Sequence, residues 1–139
     1  MTAVSPQPVS NPSFLAVLDF EATCDVVTHV GFSKIHIFPF SARRGTPAAQ
    51  MSGSVSKQVK VERSRRLAEI ESELRSRFFE QLIGKRLRVL AESSLDDHSG
   101  SWTGTSCRYA PVEFYSGQDS AGQLVDVTPR SRTSDRLLA

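Results

Sequence analysis

Gly31-Phe-Ser-Lys-Ile-His-Ile-Phe-Pro-Phe-Ser-Ala-Arg-Arg-Gly-Thr-Pro-Ala-Ala-Gln-Met51 is the stretch whose reading decides the fold. Its first half, Lys34–Phe38, has the apolar texture of a short strand, with His36 packed mid-strand between two isoleucines, and Pro39 ends it because proline offers no ladder donor. Its second half spaces Ser41, Arg43, Gly45 and Thr46 at fixed intervals in a loop running from Phe40 to Ser54, long enough to be expected to carry function. Strand ends that open into Gly/Pro-containing loops are where α/β proteins gather ligand contacts, and Arg43 beside Arg44 would face an anion.

Upstream, Met1–Ser13 holds three prolines among small polar residues and is expected to be disordered. Phe14–Leu18 reads as a short apolar strand. Asp19 is then placed as the N-cap of a helix over Asp19–Val30, with Phe20, Cys24, Val27 and Val30 at helical spacing and Gly31 as its stop. The helix and the strand after it form half of a βαβ unit.

Downstream, Val55–Leu82 predicts a long amphipathic helix: Val59, Leu67, Ile70, Leu74, Phe78 and Leu82 mark one stripe, and Glu62/Arg66 and Glu71/Arg75 stand four apart in the favourable order. After Gly84 the period changes to two. Arg86–Ala91, Trp102–Cys107, Val112–Tyr115 and Gln123–Thr128 read as short strands, with Arg132–Ala139 as the closing one. That spacing suggests a small antiparallel β-barrel of OB-like design. The fold class expected is therefore α+β.

The 139 residues carry a net charge of +2, but unevenly: −2 over residues 1–40, +7 over 41–88 and −3 over 89–139. A basic middle suits either a polyanionic partner or a solvated helix face. No apolar run approaches the roughly 20 residues that span a bilayer, so no membrane association and a cytoplasmic location are expected. Cys24 and Cys107 stand alone, which argues against a disulfide in a reducing compartment and against an iron–sulfur or zinc site built from this chain.

Two family resemblances follow from particular residues. Leu18-Asp-Phe-Glu-Ala-Thr-Cys24 resembles the first motif of the DEDD-type 3′–5′ exonucleases, in which an Asp-x-Glu holds paired metal ions. That family also needs a His followed five residues later by Asp, whereas His29, His36 and His98 are followed there by Lys34, Ser41 and Thr103.

Residues 19–138 closely resemble the C-terminal part of the radical-SAM tRNA methylthiotransferases, nearest the branch acting on threonylcarbamoyladenosine. The carrying residues are Val30–Ala49 with its Ser41, Arg43, Gly45, Thr46 loop, then Val59, Lys60, Glu62 and Arg63, then Arg66-Leu67 and Ile83-Gly84. The resemblance implies a non-family stretch at 1–18, the end of a partial TIM-like radical-SAM barrel with the long helix over 19–82, and a TRAM β-barrel over 83–139. The family's Cys-x₃-Cys-x₂-Cys motif has no counterpart here, so no catalytic residue is assigned. The 4Fe-4S clusters and S-adenosylmethionine of the full-length enzymes are not expected to be held by this chain. What it implies is a tRNA-binding portion directed at the anticodon-loop region.

Candidate RNA contacts are Lys85, Arg86 and Arg88 for phosphates, with Arg108, Tyr109 and Trp102 for stacking on an unpaired base. Trp102 fits a barrel core equally well. Arg43 would line the barrel mouth or tie down its own loop, and Arg63, Arg65 and Arg66 read as solvated helix residues. A stand-alone RNA-binding or interaction module is the alternative.

Overall fold

The computed structural model describes residues 12–50, 54–96 and 100–139. Most of the stretch expected to be disordered, Met1–Ser13, lies outside the described residues. The chain falls into two compact units, Met1–Glu71 and Ser72–Ala139.

In the first unit, helix α1 spans Pro12–Val30. Phe14–Leu18 is thus helical rather than a strand, and Asp19 lies inside the helix rather than capping it. A five-residue apolar run suits either state, and Pro12 at the start decides for helix, because its fixed φ is already helical and its missing N–H would be unpaired there anyway. Gly31, at φ +73°, ends α1 and its N–H bonds to Val27 O at 3.1 Å.

Ser33–Phe40 then runs without regular secondary structure. It keeps the burial rhythm of a strand: Ser33, Ile35 and Ile37 are half-buried, while Lys34, His36 and Phe38 are exposed. It has no ladder partner among the described residues, so the strand expected at Lys34–Phe38 is not formed. Beyond it, Thr46 donates from both its N–H and its Oγ1 to Arg43 O, at 3.2 and 2.8 Å, and Gly45 takes φ +82°. A 3₁₀ turn, Pro47–Gln50, follows.

Helix α2, Lys57–Leu82, matches its expected span closely. Ser56 is the N-cap, its Oγ accepting from Val59 N–H at 3.3 Å. At about 1.5 Å per residue, 26 residues make a rod about 39 Å long. Gly84, at φ +76°, ends it.

The second unit is built on six strands: β1 Leu87–Ser94, β2 Ser101–Ser106, β3 Pro111–Tyr115, β4 Leu124–Val127, β5 Ser131–Arg132 and β6 Leu137–Leu138. They form one sheet in the order β4-β1-β2-β3-β6-β5, antiparallel throughout except for the parallel β3–β6 pair. The expectation of a closed antiparallel barrel is corrected on both counts, since the sheet is mixed and no ladder joins β4 to β5.

The sheet is nonetheless curled. Its two edge strands are connected by residues 128–130 alone, so Val127 and Ser131 are four virtual bonds apart, about 15 Å at most. Six flat strands at about 4.8 Å spacing would put the edges about 24 Å apart. Curling turns one face inward, where Phe79 and Leu82 of α2 pack with Leu87, Val89, Ala91, Trp102, Val112, Phe114 and Leu137. Gly104 lets β1 and β2 approach closely, because a Cβ there would lie 2.0 Å from Leu90 O.

Candidate nucleic-acid interface

Strand direction alone gathers the basic residues of the second unit. β1 starts where β2 and β4 end, since Val89 pairs with Ser106 and Leu87 with Val127. Lys85 and Arg86, the β2–β3 turn Cys107–Tyr109 and the 128–130 link therefore all lie at one end of the sheet. Two backbone bonds pin the segments together: Cys107 N–H donates to Arg88 O at 2.7 Å, and Gly84 N–H to Pro129 O at 2.8 Å.

Four of the sequence candidates, Lys85, Arg86, Arg88 and Arg108, thus meet there, all exposed. The structure adds Arg130, exposed and next to the Gly84–Pro129 bond, which sequence reading missed. No local pattern marks Arg130; only the pairing of β4 with β1 brings it in. Asp126 engages two of these cations: its Oδ2 accepts from Arg86 Nη2 at 2.8 Å, and its Oδ1 lies 3.8 Å from Arg88 Nε.

Tyr109 stands out among these residues. It is 89% exposed and is the non-glycine residue with positive φ, +57°, among the described residues. Its N–H donates to Ser106 O at 2.8 Å, and Ser106 Oγ accepts from the Ala110 N–H at 3.1 Å, so the turn is held from both sides. A tyrosine in the left-handed region is strained unless its surroundings fix it, and here they hold its ring in solvent. Trp102 is different: it is 8% exposed, pairs across the ladder with Phe114 and belongs to the core, which removes it from the base-stacking set.

In the first unit Arg43, Ser41 and Gly45 are exposed and Thr46 half-buried, and Thr46 closes the turn on the Arg43 carbonyl while leaving the guanidinium outside. Nearby, Phe20, Ile37, Phe38, Phe40, Lys60 and Leu67 line an apolar groove of about 540 Å³. Arg66 is exposed, in keeping with its reading as a solvated helix residue, and it also forks Glu21, with its Nη2 2.8 Å from Oε2, while its guanidinium and that of Arg63 lie over the Phe20 ring. This pairing holds the Glu21 carboxyl below its ordinary range.

The same pairing undoes the Asp-x-Glu reading. On a helix, residues two apart point to different sides, so Asp19 and Glu21 cannot share a metal pair, and Glu21 is already engaged by Arg66. Among the described residues, no group of three or more His, Cys, Asp or Glu side chains could hold a metal ion. Cys24 is buried, which pushes its thiol up, and Cys107 is exposed in the other unit. That donor set does not fit an iron–sulfur cluster. No helix among the described residues is long and apolar enough to cross a membrane.

No family model matches the chain. Among curated proteins it is similar to the tRNA-2-methylthio-N(6)-dimethylallyladenosine synthase of Chloroflexus aurantiacus, at 35% identity over 113 residues, 78% of this chain and 24% of that protein. It is 45% identical over 74 residues to the threonylcarbamoyladenosine tRNA methylthiotransferase of Thermotoga maritima, 53% of this chain and 17% of that protein. It is also 34% identical over 112 residues to the ribosomal protein uS12 methylthiotransferase of Synechococcus sp., again 78% of this chain and 24% of the relative. The chain spans about a quarter of the length of these relatives or less.

Proposed function

This chain is a relative of the methylthiotransferases, and on that premise we propose that it is the tRNA-holding, C-terminal portion of such an enzyme, with the second unit as its TRAM-like module. It binds the anticodon-loop region and does not catalyse by itself; cluster chemistry and S-adenosylmethionine belong to the longer enzymes. The threonylcarbamoyladenosine branch is the modification we assign to the parent activity, on the strength of the Val30–Ala49 stretch.

The observation that carries this reading is that exposed Lys85, Arg86, Arg88, Arg108 and Arg130 share one sheet end with an outward-held Tyr109. Cations on separate segments can follow a bent phosphate backbone, and a fixed phenol ring offers a face to an unpaired base. Arg43, on its closed turn in the first unit, supports a further phosphate contact. The core and ladder of the second unit also suit a second reading, a stand-alone RNA-binding module, which differs from the first in needing no other polypeptide.

Filter binding of the full chain to an unmodified tRNA transcript, at several salt concentrations, tests the proposal. Binding should weaken log-linearly with salt, and Tyr109→Ala should cost about 1–3 kcal/mol without changing the slope. Arg130→Ala should instead flatten the slope by about one. Absence of binding at low salt would overturn both readings. An isolated anticodon stem-loop that competes as well as whole tRNA supports the first reading; equal competition by any single strand supports the second.

A further inference from the structure

Of Lys85, Arg86, Arg88, Arg108 and Arg130, the pair Arg86 and Arg88 is engaged, and by the same group. Asp126 lies directly across the ladder from Arg88, and its two carboxylate oxygens are divided between Arg86 and Arg88. All three side chains reach solvent, Asp126 at 38%, Arg88 at 64% and Arg86 at 77%. An ion pair this exposed is weak and exchanges readily for another anion. A carboxylate and a phosphate present the same pair of oxygens to a guanidinium.

We propose that Asp126 is a built-in competitor for RNA phosphate: it occupies Arg86 and Arg88 in the free protein and must be displaced before either can grip a nucleic-acid backbone. The inference rests on the RNA-binding reading above and adds its selectivity. A polyanion that offers charge alone has to oust the carboxylate, whereas an RNA that also places a base on Tyr109 gains a contact Asp126 cannot imitate. The residue lowers affinity for indiscriminate ligands and keeps the two guanidiniums side by side for the right one.

The test uses the full chain with a 12-nucleotide oligouridylate and a tRNA transcript as probes. Asp126→Asn should bind oligouridylate about fivefold tighter at 50 mM salt, with a salt slope steeper by about 0.7 for each phosphate newly gripped. Asp126→Glu should restore wild-type behaviour. Unchanged or weaker binding by a folded Asp126→Asn protein would reduce Asp126 to a cross-strand pair and overturn the inference alone. If the wild-type chain binds neither probe at low salt, the RNA reading falls and the inference with it. A readout without any variant guards against misfolding: saturating the wild-type protein with oligouridylate should move the Asp126 carboxyl carbon resonance as Arg86 leaves it, and an unmoved resonance overturns the proposal.

Discussion

The two units carry their hydrogen bonds differently. In Ser72–Ala139 every strand has a neighbour and ten residues close a core around Val89, Val112 and Leu137. In Met1–Glu71 the extended Ser33–Phe40 segment has a strand's alternation with no ladder, Phe38 is 84% exposed, and ion pairs such as Glu21–Arg66 and Lys34–Glu71 tie the pieces. An apolar pattern becomes a sheet only when a second segment is there to receive its amides, so similar local sequences reach unlike ends.

The sharpest way to break this contrast is a pair of truncations. Phe79→Ala, at a ring 1% exposed, should cost about 3–5 kcal/mol in denaturant unfolding. Phe38→Ala should stay within about 0.5 kcal/mol, as exposed positions do. Equal costs would erase the distinction. Hydrogen exchange should sharpen it next: amides of β1, β2 and β3 should be protected roughly a hundredfold or more beyond those of residues 33–40, and uniform protection would contradict the assignment of the ladder to one unit.

The smallest effect is pH-dependent. Arg66 lowers the Glu21 carboxyl below its unfolded value, so this pair contributes stability that is present above the ordinary glutamate range and is lost as pH falls through the lowered value. An NMR titration should place the Glu21 midpoint below that range, and Arg66→Gln should return it there. A midpoint unaffected by the substitution would detach Glu21 from Arg66.

What could be read from sequence follows the same line. Helix α2 and strand β1 were legible because period and chain direction are local properties. Phe14–Leu18 was not, since five apolar residues fit a helix as well as a strand and Pro12 was the deciding signal. The alternation of Lys34–Phe38 was legible, but the strand expected there is not formed, because pairing belongs to two segments. Lys85, Arg86, Arg88, Arg108 and Tyr109 could be named from sequence by residue type, whereas their sharing of one sheet end follows from the β1–β2 and β1–β4 registers. Arg130 and the Asp126 bridge depend on which strands adjoin, and the burial of Trp102 was undecided until the Phe114 register fixed it.

The three-residue strap between β4 and β5 has an effect beyond shaping the sheet. A flat sheet would display two bare borders, each a template on which another molecule's strand could grow. Residues 128–130 turn those borders toward one another, and Gly84 takes up the Pro129 carbonyl that would otherwise be offered outward. Lengthening the strap by several glycines would cost little chain entropy but would unmask both borders, so the shortness of that link guards the molecule against polymerising with its own kind.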